Sequence, residues 1–188
     1  MTHHVKTFYI NYFDVIDDMR VQNLMAVCSN VLAQQKPDEI YFLFASGGGG
    51  INAGIVFYNF LRSLPSKVIM HNTGIIDSVA TIIFLAGEER FAAPHSSFLF
   101  HGAQLNFNEK TSASANKLAE YSSQLKQDEK KMSGIYVERS KLTEPEVNNL
   151  FIQGESKDPS YALEKGIIHD IRNTSIPKDA PFLTLNIK

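Results

Sequence analysis

A buried-strand pattern that runs straight into four glycines is the feature that most limits how this chain can fold. Residues 39–45 read EIYFLFA, a continuous apolar run that is typical of a strand covered on both faces. Residues 47–50 are all glycine, and residues 52–64 then have helical character up to Pro65. A strand that enters a helix through such a turn predicts a βα unit in a parallel sheet.

The rest of the chain repeats this alternation. Aromatic and apolar runs predict further strands at residues 6–13, 67–70, 90–93, 97–101 and 167–171. Apolar spacing and capping signals predict helices at residues 14–35, 77–86, 143–151 and 158–165. We therefore expect an α/β fold with right-handed crossovers and a mainly parallel sheet. We expect residues 1–188 to form a single domain that ends in a tail at about residues 173–188.

Residues 110–141 differ from the rest because they are mostly polar and charged. A few apolar side chains recur there at helical spacing, among them Leu118, Tyr121 and Leu125. One interpretation is a helix that projects from the body and needs a partner to cover its weak apolar stripe. The other is a solvated helix on the surface of the same domain.

Charge, hydropathy and cysteine content narrow the class of protein. A net charge of -2 offers no basic surface for nucleic acid. The longest apolar stretch, residues 79–87, is far shorter than a membrane span, and the first residues do not resemble a signal peptide. Cys28, the single cysteine, lies in an apolar helical pattern typical of a buried, inert thiol. We expect a cytoplasmic protein without metal or other cofactor, since no metal-binding motif is present.

The four glycines admit several uses. A Walker-type phosphate loop is excluded because Ile51 and Asn52, and no lysine, follow Gly50. Residues 48–53 formally match a dinucleotide fingerprint, but residues 66–73 lack the acidic residue that should accompany it. Glycines also let a backbone approach an extended ligand or aim an N–H at an oxyanion. A tight turn alone explains one or two glycines, and four exceed that need.

Two polar residues stand at predicted element ends and have chemistry to offer. Ser78 lies at a strand-to-helix junction, where a serine is either a helix N-cap or a nucleophile held at a helix start. The strict G-x-S-x-G elbow is absent because Ile76 and Ala80 occupy its glycine positions. His101 ends an apolar strand. Ser78 and His101 can act together only if the sheet brings the two side chains close to each other.

Three segments resemble the proteolytic subunits of the Clp protease family. SGGGGINAG at residues 46–54 is similar to that family's glycine-rich loop, with Gly47 in place of a proline, and Ser78 follows at the nucleophile's distance. Residues 86–103, AGEERFAAPHSSFLFHGA, resemble the segment that contains the family's catalytic histidine and put His101 at that position. Residues 161–171, YALEKGIIHDI, resemble the family's closing segment. The resemblance covers most of residues 7–172. It implies a ClpP/crotonase-like fold, a repeated ββα superhelix with a projecting handle helix at about residues 110–141.

The resemblance also implies a function. The chain would be a serine-type peptidase acting on peptides or unfolded polypeptides, and it would form a homo-oligomer. Ser78 would be the nucleophile and His101 its general base. The backbone N–H groups of Gly49 and Val79 would form the oxyanion hole. The substrate would lie along Gly47, Gly48 and Gly50.

Acidic residues depart from the family's pattern. The family's catalytic aspartate aligns with Gly154, so Glu155 next to it is the substitute reached by a one-residue slip. Asp158 is better explained as the N-cap of the following helix. Asp77 replaces a small residue before the serine, where a carboxylate can reach His101 or favour the helix start. A Ser-His dyad and an inactive relative both stay open.

A second departure concerns partners. The chain begins almost at the family's first core strand, without the amino-terminal helix and axial segment that meet an ATPase. We therefore do not expect pairing with an unfoldase or a standard double seven-membered ring. The alternative function is an inactive or acyl-thioester-type member of the Clp/crotonase architecture, acting as a scaffold or as a non-peptidase enzyme.

Overall fold

The computed structural model describes residues 5–104 and 114–185. These residues form six helices and eight strands in one sheet. In chain order the elements are β1 Thr7–Phe13, α1 Asp18–Gln35, β2 Glu39–Ser46, α2 Ile51–Arg62, β3 Lys67–Asp77, α3 Val79–Phe84, β4 Glu89–Ala92, β5 Ser97–Leu99, α4 Ala115–Arg139, α5 Glu144–Gln153, β6 Ser156–Lys157, α6 Pro159–Glu164, β7 Asp170–Ile171 and β8 Phe182–Thr184.

The sheet is mainly parallel, which confirms the predicted α/β class. Its strands follow the order β6-β5-β3-β2-β1-β8, while β4 pairs with β3 and with β7. Within the described residues, the pair formed by β5 and β6 is the antiparallel one. The central strand β2 is almost wholly buried, as its apolar run predicted, because helices cover the sheet. That the chain forms a single domain remains a prediction.

Strand β3 is longer than predicted. It continues from residue 70 to Asp77, so the helix predicted from residue 77 begins instead at Val79. No strand was predicted after residue 70, yet His71 and Asn72 are fully buried in β3. Their polar atoms are satisfied: Tyr41 Oη lies 2.7 Å from His71 Nδ1, and Asn72 Nδ2 donates to the Ser97 carbonyl at 2.9 Å.

The end of the chain matches the prediction only in part. The strand predicted at residues 167–171 is reduced to Asp170–Ile171, because Ile167 and Ile168 are buried in the turn after α6. The last strand is β8, within the segment expected to be a tail, and it pairs in parallel with β1. A strand of three partly exposed residues carries too little apolar pattern to be recognised.

Helix α1 buries the single cysteine, as its apolar helical pattern predicted. The helix begins at Asp18 with Asp17 as its N-cap and buries Cys28, whose pKa is raised to about 12 by burial.

Helix α4 is packed only in its second half, where Met132 and Tyr136 are buried. Its first half is exposed, with Leu118 at 52 % exposure, as expected of a projecting helix. Residues 110–113 of the predicted handle lie outside the described residues.

In the described ranges, no helix combines the length and hydrophobicity needed to cross a membrane. The same residues contain no cluster of three or more histidine, cysteine or carboxylate side chains able to hold a metal ion.

Candidate active site

Ser78, His101 and the glycine loop at residues 47–50 meet around one cavity of about 340 Å³. The glycine loop forms one side, and the segment from His101 to Gln104 forms another. The remaining side comes from helix α4, through Gln124, Leu125, Asp128 and Met132. The sheet thus brings together the two residues that the sequence could only name separately.

Strand register explains why Ser78 and His101 share this cavity. Strands β3 and β5 are parallel neighbours, with Asp77 opposite Leu99. The Ser78 N–H continues that pairing by donating to the Leu99 carbonyl at 2.8 Å. Ser78 and His101 therefore follow the carboxyl ends of two adjacent strands, the edge at which parallel sheets place their sites.

Ser78 occupies a strained turn and does not cap its helix. Its φ of 56° and ψ of −131° lie in a region that costs a non-glycine residue about 1–3 kcal/mol. Its side chain makes no capping hydrogen bond to α3, which removes the N-cap interpretation. The turn achieves what a G-x-S-x-G elbow achieves, a serine exposed on a sharp strand-to-helix turn, without the flanking glycines.

Two of the four glycines are required by the backbone. Gly48 has φ +89°, and a Cβ there would lie 2.7 Å from Ser78 Cβ and 2.8 Å from the Asp77 carbonyl oxygen. Gly49 has φ +150°, and its Cβ would lie 2.0 Å from the Ile16 carbonyl oxygen. Both separations are far shorter than any real contact, so only glycine fits at these two positions.

The other two glycines are not required by the turn. Gly47 has no heavy atom within 4 Å of its Cβ position, and Gly50 precedes α2 with φ −68°. Both are exposed and line the cavity. The turn therefore explains Gly48 and Gly49, while Gly47 and Gly50 leave backbone open to a ligand.

The loop is held firmly despite its composition. Ile16 donates its N–H to the Gly48 carbonyl at 2.8 Å and accepts from the Gly50 N–H at 2.7 Å. Ser46 Oγ accepts from the Gly48 N–H at 3.1 Å. In the described part of the chain the Gly49 N–H has no acceptor. Val79 starts α3, and a first-turn N–H has no acceptor in its own helix.

The hydrogen bond of His101 identifies its tautomer. Its Nδ1 lies 2.8 Å from the Gly102 carbonyl oxygen, which can only accept, so Nδ1 carries the proton. Nε2 is then the basic nitrogen of the neutral ring. Among the described residues no direct hydrogen bond joins Ser78 Oγ to His101, although both line the cavity. Catalytic hydrogen bonds are commonly long without substrate and tighten on binding.

Asp77 is the carboxylate in electrostatic contact with His101. It is half-buried, and burial raises the pKa of its carboxyl above the ordinary value. A backbone hydrogen bond at Leu99 and the nearby His101 both act in the opposite direction. In the described residues the Asp77 carboxylate makes no hydrogen bond to His101, so a direct role for Asp77 at that ring remains a prediction.

Glu155 does not approach His101. Its carboxylate pairs with Lys157 Nζ at 2.9 Å, and its side chain is 65 % exposed. Strand β6 begins only at Ser156, which pairs with Leu99, so Glu155 lies just outside the strand pair. In the described residues its carboxylate makes no hydrogen bond to His101.

Asp158 is the N-cap of α6, as predicted, and accepts from the Tyr161 N–H at 2.8 Å. Gly154 ends α5 with φ +59° and carries no side chain toward His101. In the described residues, no carboxylate therefore replaces the Gly102 carbonyl at His101 Nδ1.

Sequence reasoning missed the residues that reach the site through tertiary packing. Glu129 Oε1 accepts from the Ala103 N–H at 3.2 Å and so holds the segment after His101 against α4. Asp128 lines the cavity itself. A signal existed for Asp128, because it continues the stripe of Tyr121 and Leu125 at helical spacing.

Comparison with known proteins points to one family. The model of the Clp protease family matches residues 2–175. An ATP-dependent Clp protease proteolytic subunit from Bigelowiella natans is 29% identical over 91 residues, 47% of each chain. Proteolytic subunit 2 from Borreliella burgdorferi is 27% identical over 140 residues, 72% of this chain and 67% of its own. Proteolytic subunit 3 from Streptomyces avermitilis is 26% identical over 147 residues, 77% and 65% of the two chains. The matches thus span about half to two thirds of these relatives.

Proposed function

The chain belongs to the Clp protease family, and we propose that it is a serine peptidase working through an acyl-enzyme. One observation carries the proposal. Ser78 is held at a strained φ with its hydroxyl free of any capping bond, in the cavity that His101 also lines. A fold keeps such strain where the side chain is needed in that position.

The first half of the reaction forms the acyl-enzyme. Ser78 Oγ attacks the carbonyl carbon of the scissile peptide bond while His101 Nε2 takes the Oγ proton. The N–H groups of Gly49 and Val79 donate to the oxyanion, each worth about 3 kcal/mol in comparable sites. The tetrahedral intermediate then breaks its C–N bond, and the proton on Nε2 goes to the leaving amine.

The second half releases the product. A water molecule gives a proton to His101 Nε2 and attacks the ester carbonyl, and the same N–H groups stabilise the second oxyanion. The ester C–O bond breaks, Ser78 Oγ recovers its proton from the imidazolium, and the carboxylic acid product leaves. An extended peptide lies along Gly47, Gly48 and Gly50, where side chains are absent.

In this proposal Ser78 and His101 act as a dyad, with the Gly102 carbonyl in the orienting position. That carbonyl fixes the Nδ1–H tautomer but, being neutral, stabilises the imidazolium less than a carboxylate does. Asp77 supplies negative charge nearby without that hydrogen bond. Glu155, the sequence-based candidate, is left out because of its pairing with Lys157.

The family relationship supports further parts of the proposal. We include peptides and unfolded polypeptides as substrates, self-association through the exposed first half of α4, and a cytoplasmic location.

Hydrolysis of fluorogenic peptides tests the proposed function. Ser78→Ala and His101→Ala should each lower kcat/KM by about a thousandfold or more. Ser29→Ala is the matched control, since that hydroxyl lies on the exposed surface of α1. Undiminished hydrolysis by Ser78→Ala would refute the peptidase mechanism. Turnover of acyl-thioesters without peptide cleavage would support the acyl-thioester alternative, which needs the N–H groups of Gly49 and Val79 but not Ser78.

A restored carboxylate tests the dyad. Gly154→Asp puts an acid at the position that aligns with the family's catalytic aspartate, where no heavy atom lies within 4 Å of the Cβ and where aspartate tolerates the φ of +59°. We expect kcat/KM to rise roughly tenfold or more, because a carboxylate stabilises the imidazolium. Gly154→Asn is the uncharged control. Equal rates for Gly154→Asp, Gly154→Asn and the unchanged protein would show that another group already fills this role.

A further inference from the structure

One carboxylate in the cavity wall has no part in the mechanism above. Asp128 is 5 % exposed and lines the cavity together with Ser78 and His101. We propose that Asp128 makes this site select peptides with a lysine or arginine side chain next to the scissile bond. The inference rests on the proposed function and specifies its substrate class.

The two members of the Asp128–Lys131 ion pair differ in how far they are buried. Its Oδ1 lies 2.9 Å from Lys131 Nζ, but the Asp128 side chain is 7% exposed whereas that of Lys131 is 40% exposed. Solvent screens the outer lysine far more than the inner carboxylate. Among the described residues Oδ2 accepts no hydrogen bond. The carboxylate thus keeps an acceptor for a second cation.

Asp128 is the one acidic side chain among the described residues of the cavity wall. The described residues that line the cavity include no lysine or arginine, and His101 is their one other titratable side chain. Lys131 and Glu120 line a neighbouring depression, which Asp128 also borders. On the cavity side, a cationic side chain would therefore find Asp128 and no ammonium or guanidinium group of the described residues.

The remaining wall suits a long basic side chain. Leu125 and Met132 of α4 offer apolar surface beside Asp128, and Gln124 and Asn52 offer polar groups. Lysine and arginine combine an aliphatic stem with a charged end, so they match both kinds of surface. An apolar side chain would leave the carboxylate without a partner, and an acidic one would be repelled.

Stability of α4 does not account for the buried carboxylate. An i,i+3 pair with a largely exposed Lys131 contributes little, whereas removing the Asp128 carboxylate from water is unfavourable. Recognition of a cationic substrate supplies the missing compensation, because the substrate completes the coordination of Asp128.

Two measurements test the inference. Tripeptide coumarylamides ending in Arg, Lys, Leu or Glu give relative kcat/KM, and dye-labelled peptides with the same variation give binding to the Ser78→Ala protein. We expect the basic peptides to exceed the leucine peptide by roughly tenfold to a hundredfold in both, as for a hydrogen bond to a charged group.

Variants assign the effect to Asp128. Asp128→Asn, nearly isosteric, should abolish the preference, and Lys131→Gln should keep or increase it. Glu138→Gln, an exposed acid on the same helix, should leave it unchanged. A thermal melt checks that each variant folds, and Lys131→Gln keeps the test valid if Asp128→Asn does not.

The outcomes separate the two claims. If no peptide is cleaved but the Ser78→Ala protein still prefers basic peptides, the proposed function fails and the recognition by Asp128 stands. If peptides are cleaved but leucine is accepted as well as arginine, the inference about Asp128 is overturned and the peptidase stands. A basic preference that survives Asp128→Asn also overturns the inference.

Discussion

Two neighbouring strand-to-helix turns both contain positive φ angles, but one places glycines there and the other a serine. After β2 the chain takes positive φ at Gly48 and Gly49, where glycine does so without strain. After β3 it takes φ 56° at Ser78, where a side chain makes that conformation costly. The difference indicates what each turn is for. The first needs backbone without side chains, and the second needs a hydroxyl at a fixed place.

The two turns also constrain each other. Gly48 packs so close to Ser78 that a methyl group on it would overlap Ser78 Cβ. On its other side, the glycine turn makes two backbone hydrogen bonds with Ile16. The glycines are therefore fixed in position, and the surfaces of Gly47, Gly49 and Gly50 line the cavity without having to be ordered by substrate.

Filling the glycine turn should have the largest effect. Gly49→Ala forces a Cβ onto the Ile16 carbonyl at 2.0 Å, so we expect a loss of about 3 kcal/mol in the free energy of unfolding. Urea denaturation measures it. Gly47→Ala is the matched control, because its Cβ position is open, and it should change stability by less than about 0.5 kcal/mol. Equal losses of stability for Gly49→Ala and Gly47→Ala would mean that the Ile16 backbone does not pack against Gly49.

Relieving the serine turn should have a smaller effect of opposite sign. Ser78→Gly removes the strained side chain, whereas Ser78→Ala keeps its Cβ at the same φ. We expect Ser78→Gly to be more stable than Ser78→Ala by about 1 kcal/mol, the strain relieved less the extra chain entropy of glycine. Both should be inactive. If Ser78→Gly were the less stable of the two, the turn would not be strained.

The smallest effect concerns the pH dependence of the serine turn. Burial raises the folded-state pKa of Asp77, so its contribution to stability is complete below the unfolded pKa and is lost as the pH rises through the folded one. Asp77→Asn should remove this pH-dependent part of the free energy of unfolding. Thermal melts of both proteins across the acidic range measure the difference. Parallel curves would indicate that Asp77 is not desolvated.

Much of the fold was readable from the sequence, and the exceptions have a physical cause. Strand β2 and the helices with clear caps were predicted because their local pattern matches their final environment. The second half of β3 was missed because His71 and Asn72 are buried with partners supplied by other strands. Strand β8 was missed because its three residues gain their structure from β1 rather than from their own pattern.

The site divides in the same way. Ser78, His101 and the glycine positions were proposed from the resemblance to the Clp protease family. The hydrogen bonds with Ile16, the carbonyl of Gly102 and the carboxylate of Asp128 depend on which segments pack together. Glu155 was proposed from alignment alone, which could not reveal its pairing with Lys157.

Reaction with a fluorophosphonate, read by intact mass and peptide mapping, tests whether Ser78 is a nucleophile. We expect one phosphonyl group on Ser78 Oγ, slower labelling in His101→Ala and none in Ser78→Ala. A protein that stays unlabelled between about pH 6 and pH 9, or one that is labelled equally after Ser78→Ala, would contradict this expectation.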